Sequence, residues 1–123
     1  MVLKTEPQTA FAETRRWRRF RFDVPVRLVL KRNGPEFAFA GRGTGMNEGG
    51  IGVYVEAPLQ AGDQVQVEFT PPYSGLTVSV RGTVRHAKDS LYGVEFLAQD
   101  AAEQQEVALF RRMLRAAAEQ LGE

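Results

Sequence analysis

Short segments in which apolar residues recur at every second position are the feature of this sequence that most constrains its fold. The first runs from Phe22 to Leu30, and related segments lie at 36–42, 51–55, 65–69, 76–84 and 91–96. Such alternation is typical of strands that bury one face. Turn-forming residues separate the segments: Asn33-Gly34-Pro35, Pro58 to Asp63, Pro71 to Gly75 and Lys88-Asp89-Ser90. The pattern predicts about six short strands in a small antiparallel barrel or sandwich.

The last segment follows a helical period instead. Apolar residues are spaced by three and four, at Val107, Phe110, Leu114, Ala117 and Leu121. Asp100 suits an N-cap, with Glu103 three residues later. We expect one amphipathic helix from about Ala101 to Leu121. Two interpretations of its apolar stripe stay open: the helix packs on the barrel, or it forms a homodimer or partner contact.

Composition limits the chemistry that the chain can perform. Its 123 residues allow one domain, and 43% hydrophobic and 25% charged residues are ordinary for a globular protein. There is no cysteine, and the single histidine is His86, which argues against metal clusters and general-base catalysis. We therefore expect neither a metal site nor an enzyme.

No apolar run is long enough to span a bilayer, and the N-terminus lacks a signal-peptide pattern, so we expect a cytoplasmic protein.

Arginine is concentrated just before the first predicted strand. Five arginines lie within seven residues, interrupted by Trp17 and Phe20: Arg15, Arg16, Arg18, Arg19 and Arg21. The planar guanidinium can donate two parallel hydrogen bonds to a phosphate or to O6 and N7 of guanine. One concentrated patch in a chain of net charge +1 favours a local anionic ligand over a long nucleic-acid track. A solvated basic tail is the alternative.

A glycine-rich stretch lies between the second and third predicted strands, from Gly41 to Gly52. Glycine permits a close approach to the backbone, and Asn47 offers both an acceptor and a donor, which matches the mixed edge of guanine. No helix follows the stretch, so a dinucleotide-binding or P-loop interpretation fails. The structural alternative is a glycine-rich bulge that bends strands at a barrel corner.

Together these two features resemble the PilZ domain, a family of bacterial cyclic di-GMP receptors. Its first motif, RxxxR, is matched by Arg15 and Arg19, followed by Val24-Pro25-Val26. Its second motif, [DN]xSxxG, is matched in position by Gly45-Met46-Asn47-Glu48-Gly49-Gly50. The resemblance covers about residues 12 to 98. It implies a six-stranded PilZ-like barrel followed by the helix. Residues 1–14 are polar and without periodicity, so we expect a flexible lead-in there, with 15–98 as the barrel domain and 100–122 as the helical segment.

The resemblance also implies the ligand and its site. Arg15 and Arg19 would clamp the guanine and phosphate groups of cyclic di-GMP, with Arg16 as an auxiliary contact. Asn47 would stand at the motif's serine position and Gly50 at its closing glycine. Ligand binding would order the N-terminus and so signal to a protein effector. No other cofactor is implied.

One departure from the motif keeps a second function open. Gly45 stands where the family has Asp or Asn, the residue that hydrogen-bonds the guanine edge. Either the site is weakened, or Asn47 takes over the base contact, or the chain is a degenerate PilZ adaptor that binds a protein partner without nucleotide. A third interpretation, a single-stranded nucleic-acid binder, is disfavoured because the basic residues crowd into one segment.

Overall fold

The structure, a computed structural model, describes residues 20–31, 34–72 and 75–120. In this part of the chain six strands precede one helix. The strands are β1 (Phe20–Lys31), β2 (Glu36–Met46), β3 (Gly50–Tyr54), β4 (Gln64–Phe69), β5 (Val78–Lys88) and β6 (Leu91–Phe96), and the helix is α1 (Ala101–Gln120). The strands form a closed antiparallel barrel in the order β1-β2-β3-β6-β5-β4. The predicted barrel with a C-terminal helix is confirmed.

The barrel consists of two three-stranded meanders. Strands β1, β2 and β3 pair in sequence order, and so do β4, β5 and β6. Two seams join the meanders: β1 pairs with β4 around Leu28 and Val67, and β3 pairs with β6 around Gly52 and Gly93. Each seam joins residues about 40 positions apart, whereas the pairs within each meander are local. The tight turn between β5 and β6 has positive φ at Asp89 and Ser90, as a two-residue hairpin turn requires.

The core follows the alternation that the sequence shows. Within β1, the inward residues Val24 and Leu28 are fully buried, as are Val53 of β3 and Val67 of β4. Burying each such side chain contributes roughly 1.5–3 kcal/mol relative to exposure. The partners of Val24 and Val26 in β2 are Gly43 and Gly41, so the second strand contributes backbone rather than side chains to this part of the core.

Helix α1 packs on the barrel. Its apolar stripe joins the same buried cluster as the strands, through Val107, Phe110, Leu114, Ala117 and Ala118. The rings of Phe110 and Phe96 meet edge to face with centroids 6.0 Å apart. The predicted cap is present: the N–H of Glu103 donates to Oδ1 of Asp100 at 2.8 Å. In the described part of the chain, no helix combines the length and apolar character that crossing a membrane needs.

The boundaries of two predicted elements need correction. Strand β2 continues through the glycine-rich stretch to Met46, so only residues 47–49 between β2 and β3 form the turn. The register shifts between Gly43 and Gly45, which is the strand-bending bulge that we considered as the alternative. Strand β5 begins at Val78, and Leu76, which continued the alternation in the sequence, lies before it and is 69% exposed.

Candidate functional site

The turn between β2 and β3 is held together by Asn47. Its side-chain Oδ1 accepts hydrogen bonds from the N–H groups of Gly49 at 2.8 Å and Gly50 at 3.0 Å. Its own N–H donates to the carbonyl of Gly50 at 3.0 Å. Both partners of the side chain are donors, so this contact fixes which way the amide is oriented. The Asn47 oxygen is therefore used by the turn, and the amide Nδ2 remains as a donor for a ligand.

The two glycines predicted as site residues lie on either side of Asn47. Gly45 is buried in β2 and pairs with Gly52 of β3. Gly50 begins β3 and pairs with Glu95 of β6. A Cβ added at Gly50 would collide with the carbonyl of Val94 on β6. The close approach of β6 is therefore enough to explain why position 50 is glycine, without a ligand.

The arginine segment leads into the barrel beside this turn. Arg15, Arg16 and Arg19, which the sequence predicts as ligand contacts, lie outside the described residues, as do residues 1–14. The first described residue, Phe20, pairs with Met46, and Arg21 pairs with Gly45. Arg19 is the residue before Phe20 in the chain, and Asn47 is the residue after Met46. The described backbone thus joins the arginine segment to β1 at the same barrel end as Asn47.

Among the described residues, three glycines form a row across the strands next to the turn. Gly45, Gly52 and Gly93 are consecutive partners across β2, β3 and β6, and the row ends at His86 of β5. Gly52 and Gly93 face outward, because their chain neighbours point into the core. Two exposed apolar residues, Tyr54 and Leu91, pair with each other along one side of this row. His86 is exposed beside Gly93, where an added Cβ would lie 3.2 Å from its ring.

Most arginines on the barrel strands form ion pairs with carboxylates. Nε of Arg42 donates to Oδ1 of Asp23 at 2.7 Å, and Arg85 binds Glu95 at 2.6 Å. Arg21 is exposed and has no ion-pair or hydrogen-bond partner for its side chain among the described residues. The sequence analysis includes Arg21 in the basic segment but not among the predicted ligand contacts. It lies two residues after Arg19, the second arginine of the motif.

A broad surface concavity of about 600 Å³ lies on the barrel wall beyond Tyr54. Its lining includes Pro25, Phe39, Arg42, Tyr54 and Glu56, and none of Gly45, Asn47 and Gly50. The described residues of the predicted site, Gly45, Asn47 and Gly50, therefore lie outside this concavity. Within the described ranges, no three His, Cys, Asp or Glu side chains cluster as metal ligands would.

Comparisons with known proteins agree on the family and the fold. Residues 13–114 match the family model of the PilZ domain. Similar solved structures include the PilZ domain of CeSA from a cellulose-synthesizing bacterium (TM-score 0.62, 15% identity, 78% of this chain and 94% of that chain). Another is the PilZ domain of YcgR from Escherichia coli with c-di-GMP (TM-score 0.58, 18% identity, 88% and 98%). A search of curated proteins gives no significant match. These matches indicate no catalytic family.

Proposed function

Because this chain belongs to the PilZ domain family, we propose that it is a receptor domain that binds cyclic di-GMP beside the β2–β3 turn. The pairing of Phe20 with Met46 is the observation that carries the proposal, since it brings the entry of the arginine segment next to Asn47. The ligand found with the E. coli YcgR domain supports the same chemistry. We propose Arg15, Arg16 and Arg19 as its phosphate and guanine contacts, together with the turn residues Gly45, Asn47 and Gly50.

The chemistry of the two partners is complementary. Cyclic di-GMP carries two phosphates and two guanines, and arginine can donate paired hydrogen bonds to either group. At the turn, Nδ2 of Asn47 adds a donor, because its oxygen is already bonded to the N–H groups of Gly49 and Gly50. The dinucleotide would offset the mutual repulsion of the arginines and hold the N-terminal segment across the barrel face. A protein effector would then recognise the changed surface.

A degenerate adaptor that binds a protein without nucleotide is the second candidate. Gly45 favours it, because the position lacks the Asp or Asn of the family motif. Loss of one hydrogen bond to a charged group weakens binding by about 10- to 150-fold. The two candidates differ in a direct observable, since only the receptor binds purified cyclic di-GMP.

Calorimetric titration of the full chain with cyclic di-GMP tests the proposal. We expect saturable binding, and a loss of at least about 10-fold in affinity for Arg19→Ala, since one charge-assisted contact is worth that much. Arg18→Ala is the matched control: it removes the same charge from the same segment but lies outside the RxxxR pair, so we expect less than about a threefold change. Equal affinities for wild type and Arg19→Ala would rule out this assignment.

A further inference from the structure

Arg21 differs from the other strand arginines of the described barrel in having no carboxylate partner. Arg27 binds Glu68, Arg42 binds Asp23, Arg81 binds Glu103 and Arg85 binds Glu95, at distances of 2.6–2.9 Å. Asp23 lies two residues after Arg21, but Arg42 already bonds its carboxylate. The described part of the structure therefore leaves the Arg21 guanidinium free to bind an external anion or acceptor.

The position of Arg21 relates it directly to the altered motif residue. Arg21 of β1 and Gly45 of β2 are opposite one another in the antiparallel pair. Opposite residues have Cα atoms about 4.5–5.5 Å apart and share one face of the sheet. Gly45 has no side chain, so nothing at that position competes with Arg21 for the surface in front of the β2–β3 turn.

The groups available at this turn are mainly hydrogen-bond donors. Oδ1 of Asn47 already accepts two backbone hydrogen bonds, and Gly45 supplies no side-chain acceptor. Arg21 and Nδ2 of Asn47 can only donate. On guanine, O6 and N7 are the adjacent acceptors that match a guanidinium fork, whereas N1 and the N2 amino group are donors. Two described carboxylates lie at or beside the turn: that of Glu48, which is exposed, and that of Glu95, which lies opposite Gly50 and is bound by Arg85.

We infer that Arg21 is a binding residue that recognises a guanine of cyclic di-GMP through O6 and N7, in place of the acceptor lost at Gly45. This inference rests on the proposed function. A contact between Arg21 and the O6 and N7 atoms changes the expected base specificity of the site. The N2 amino group of guanine then contributes little to the affinity, and N7 contributes strongly. A site that reads the base with Asp or Asn has the opposite preference, because that side chain accepts from the N1 and N2 groups.

Calorimetric titration with three ligands separates these cases. Wild type is titrated with cyclic di-GMP, with cyclic di-IMP, which lacks the N2 amino group, and with the 7-deaza analogue of cyclic di-GMP, which lacks N7. We expect cyclic di-IMP to bind within about threefold of cyclic di-GMP, and the 7-deaza analogue to bind at least about 10-fold more weakly. A large loss with cyclic di-IMP would overturn the inference, because an acceptor such as the Glu48 carboxylate would then read the base.

Variants of Arg21 complete the test. Arg21→Ala should bind cyclic di-GMP about 10- to 150-fold more weakly and should no longer distinguish the 7-deaza analogue. Arg21→Lys keeps the charge without the fork and should lose most of the same affinity. Arg27→Ala removes an exposed arginine from the same strand, away from the turn, and should bind as wild type does.

The outcomes distinguish this inference from the function on which it rests. If wild type binds cyclic di-GMP and Arg21→Ala binds it equally well, the inference fails alone and the receptor function stands. If wild type does not bind cyclic di-GMP, both fail. Thermal melts of each variant confirm that a lost affinity does not reflect unfolding.

Discussion

Asn47 holds the candidate site in shape through its side-chain oxygen. Its two acceptor bonds satisfy the N–H groups of Gly49 and Gly50, both of which are partly buried. Backbone donors that lose their partner inside a protein are costly, whereas exposed ones bond to water. A residue expected to contact the ligand thus also determines the conformation of the turn that presents it.

We predict that Asn47→Ala destabilises the fold by about 1–2 kcal/mol, because it leaves these two donors without an acceptor. Asn47→Asp keeps an oxygen in the same place and should lose less than half as much. Urea denaturation of the ligand-free protein measures both free energies of unfolding. Equal stability of Asn47→Ala and wild type would show that the turn does not depend on this side chain.

The residues of the site could be predicted only in part from the sequence. Asn47 was predicted as a ligand contact because the motif marks its position, but its bonding to its own turn was not predicted, since such contacts depend on the backbone path. In the structure the Asn47 oxygen is hydrogen-bonded within the turn, which leaves the amide Nδ2 as the group that can donate to a ligand. Arg21 was not among the predicted ligand contacts because the motif does not contain it, and only its pairing with Gly45 in the structure leads to the role that we infer for it.

At the scale of elements, the alternation of apolar residues predicted the six strands and the three-to-four spacing predicted the helix, but the glycines of β2 obscured part of that strand. Strand β2 carries Gly41, Gly43 and Gly45 through its second half, where the sequence indicated a turn. Glycine disfavours strands and has no side chain to show an alternating pattern. Pairing with β1 and β3 overrides this preference, because both neighbouring strands supply backbone partners along Arg42–Met46.

The start of helix α1 gives a prediction about pH. Glu103 accepts a hydrogen bond from the N–H of Gln99 and another from the Arg81 guanidinium, and these two contacts lower the pKa of its carboxyl group. A carboxyl with a lowered pKa in the folded state stabilises the fold above its ordinary pKa. That contribution is lost as the pH falls through the folded value.

We therefore expect wild type to be more stable than Glu103→Gln at about pH 7, and this difference to shrink as the pH falls from about 5 to about 3. Thermal melts across this range measure it. Glu106→Gln serves as the control, since Glu106 is exposed on the same helix, and its difference from wild type should change less. A Glu103→Gln difference that stays constant with pH would contradict the assignment.

At the scale of the whole molecule, the helix and the barrel share one hydrophobic core in the described part of the chain. Phe110 is fully buried and contacts Phe96 at the end of β6. The sequence predicted the apolar stripe but left open whether it covers the barrel or another chain. Periodicity identifies an apolar face without identifying its partner, and in this structure that partner is the barrel.

We predict that Phe110→Ala destabilises the whole protein by about 3–5 kcal/mol, because it opens a cavity between helix and barrel. Leu109→Ala is the matched control on the same helix: Leu109 is 38% exposed, and its truncation should change stability by less than about 1 kcal/mol. Urea denaturation followed by circular dichroism gives both values. Barrel and helix resonances in NMR spectra should disappear together, and a helix that melts separately from an intact barrel would contradict a shared core.

The division into two meanders has a consequence for how the chain reaches its native state. Hairpin contacts within each half close short loops, whereas each seam must bring together segments about 40 residues apart. Non-local strand pairing slows folding, so seam closure is expected to be the late, rate-limiting event. The candidate site adjoins the β3–β6 seam, where Gly50 pairs with Glu95. A ligand that binds across the β3–β6 seam, and binds only the native barrel, would slow the opening of this seam. The bound protein would therefore unfold more slowly than the free one.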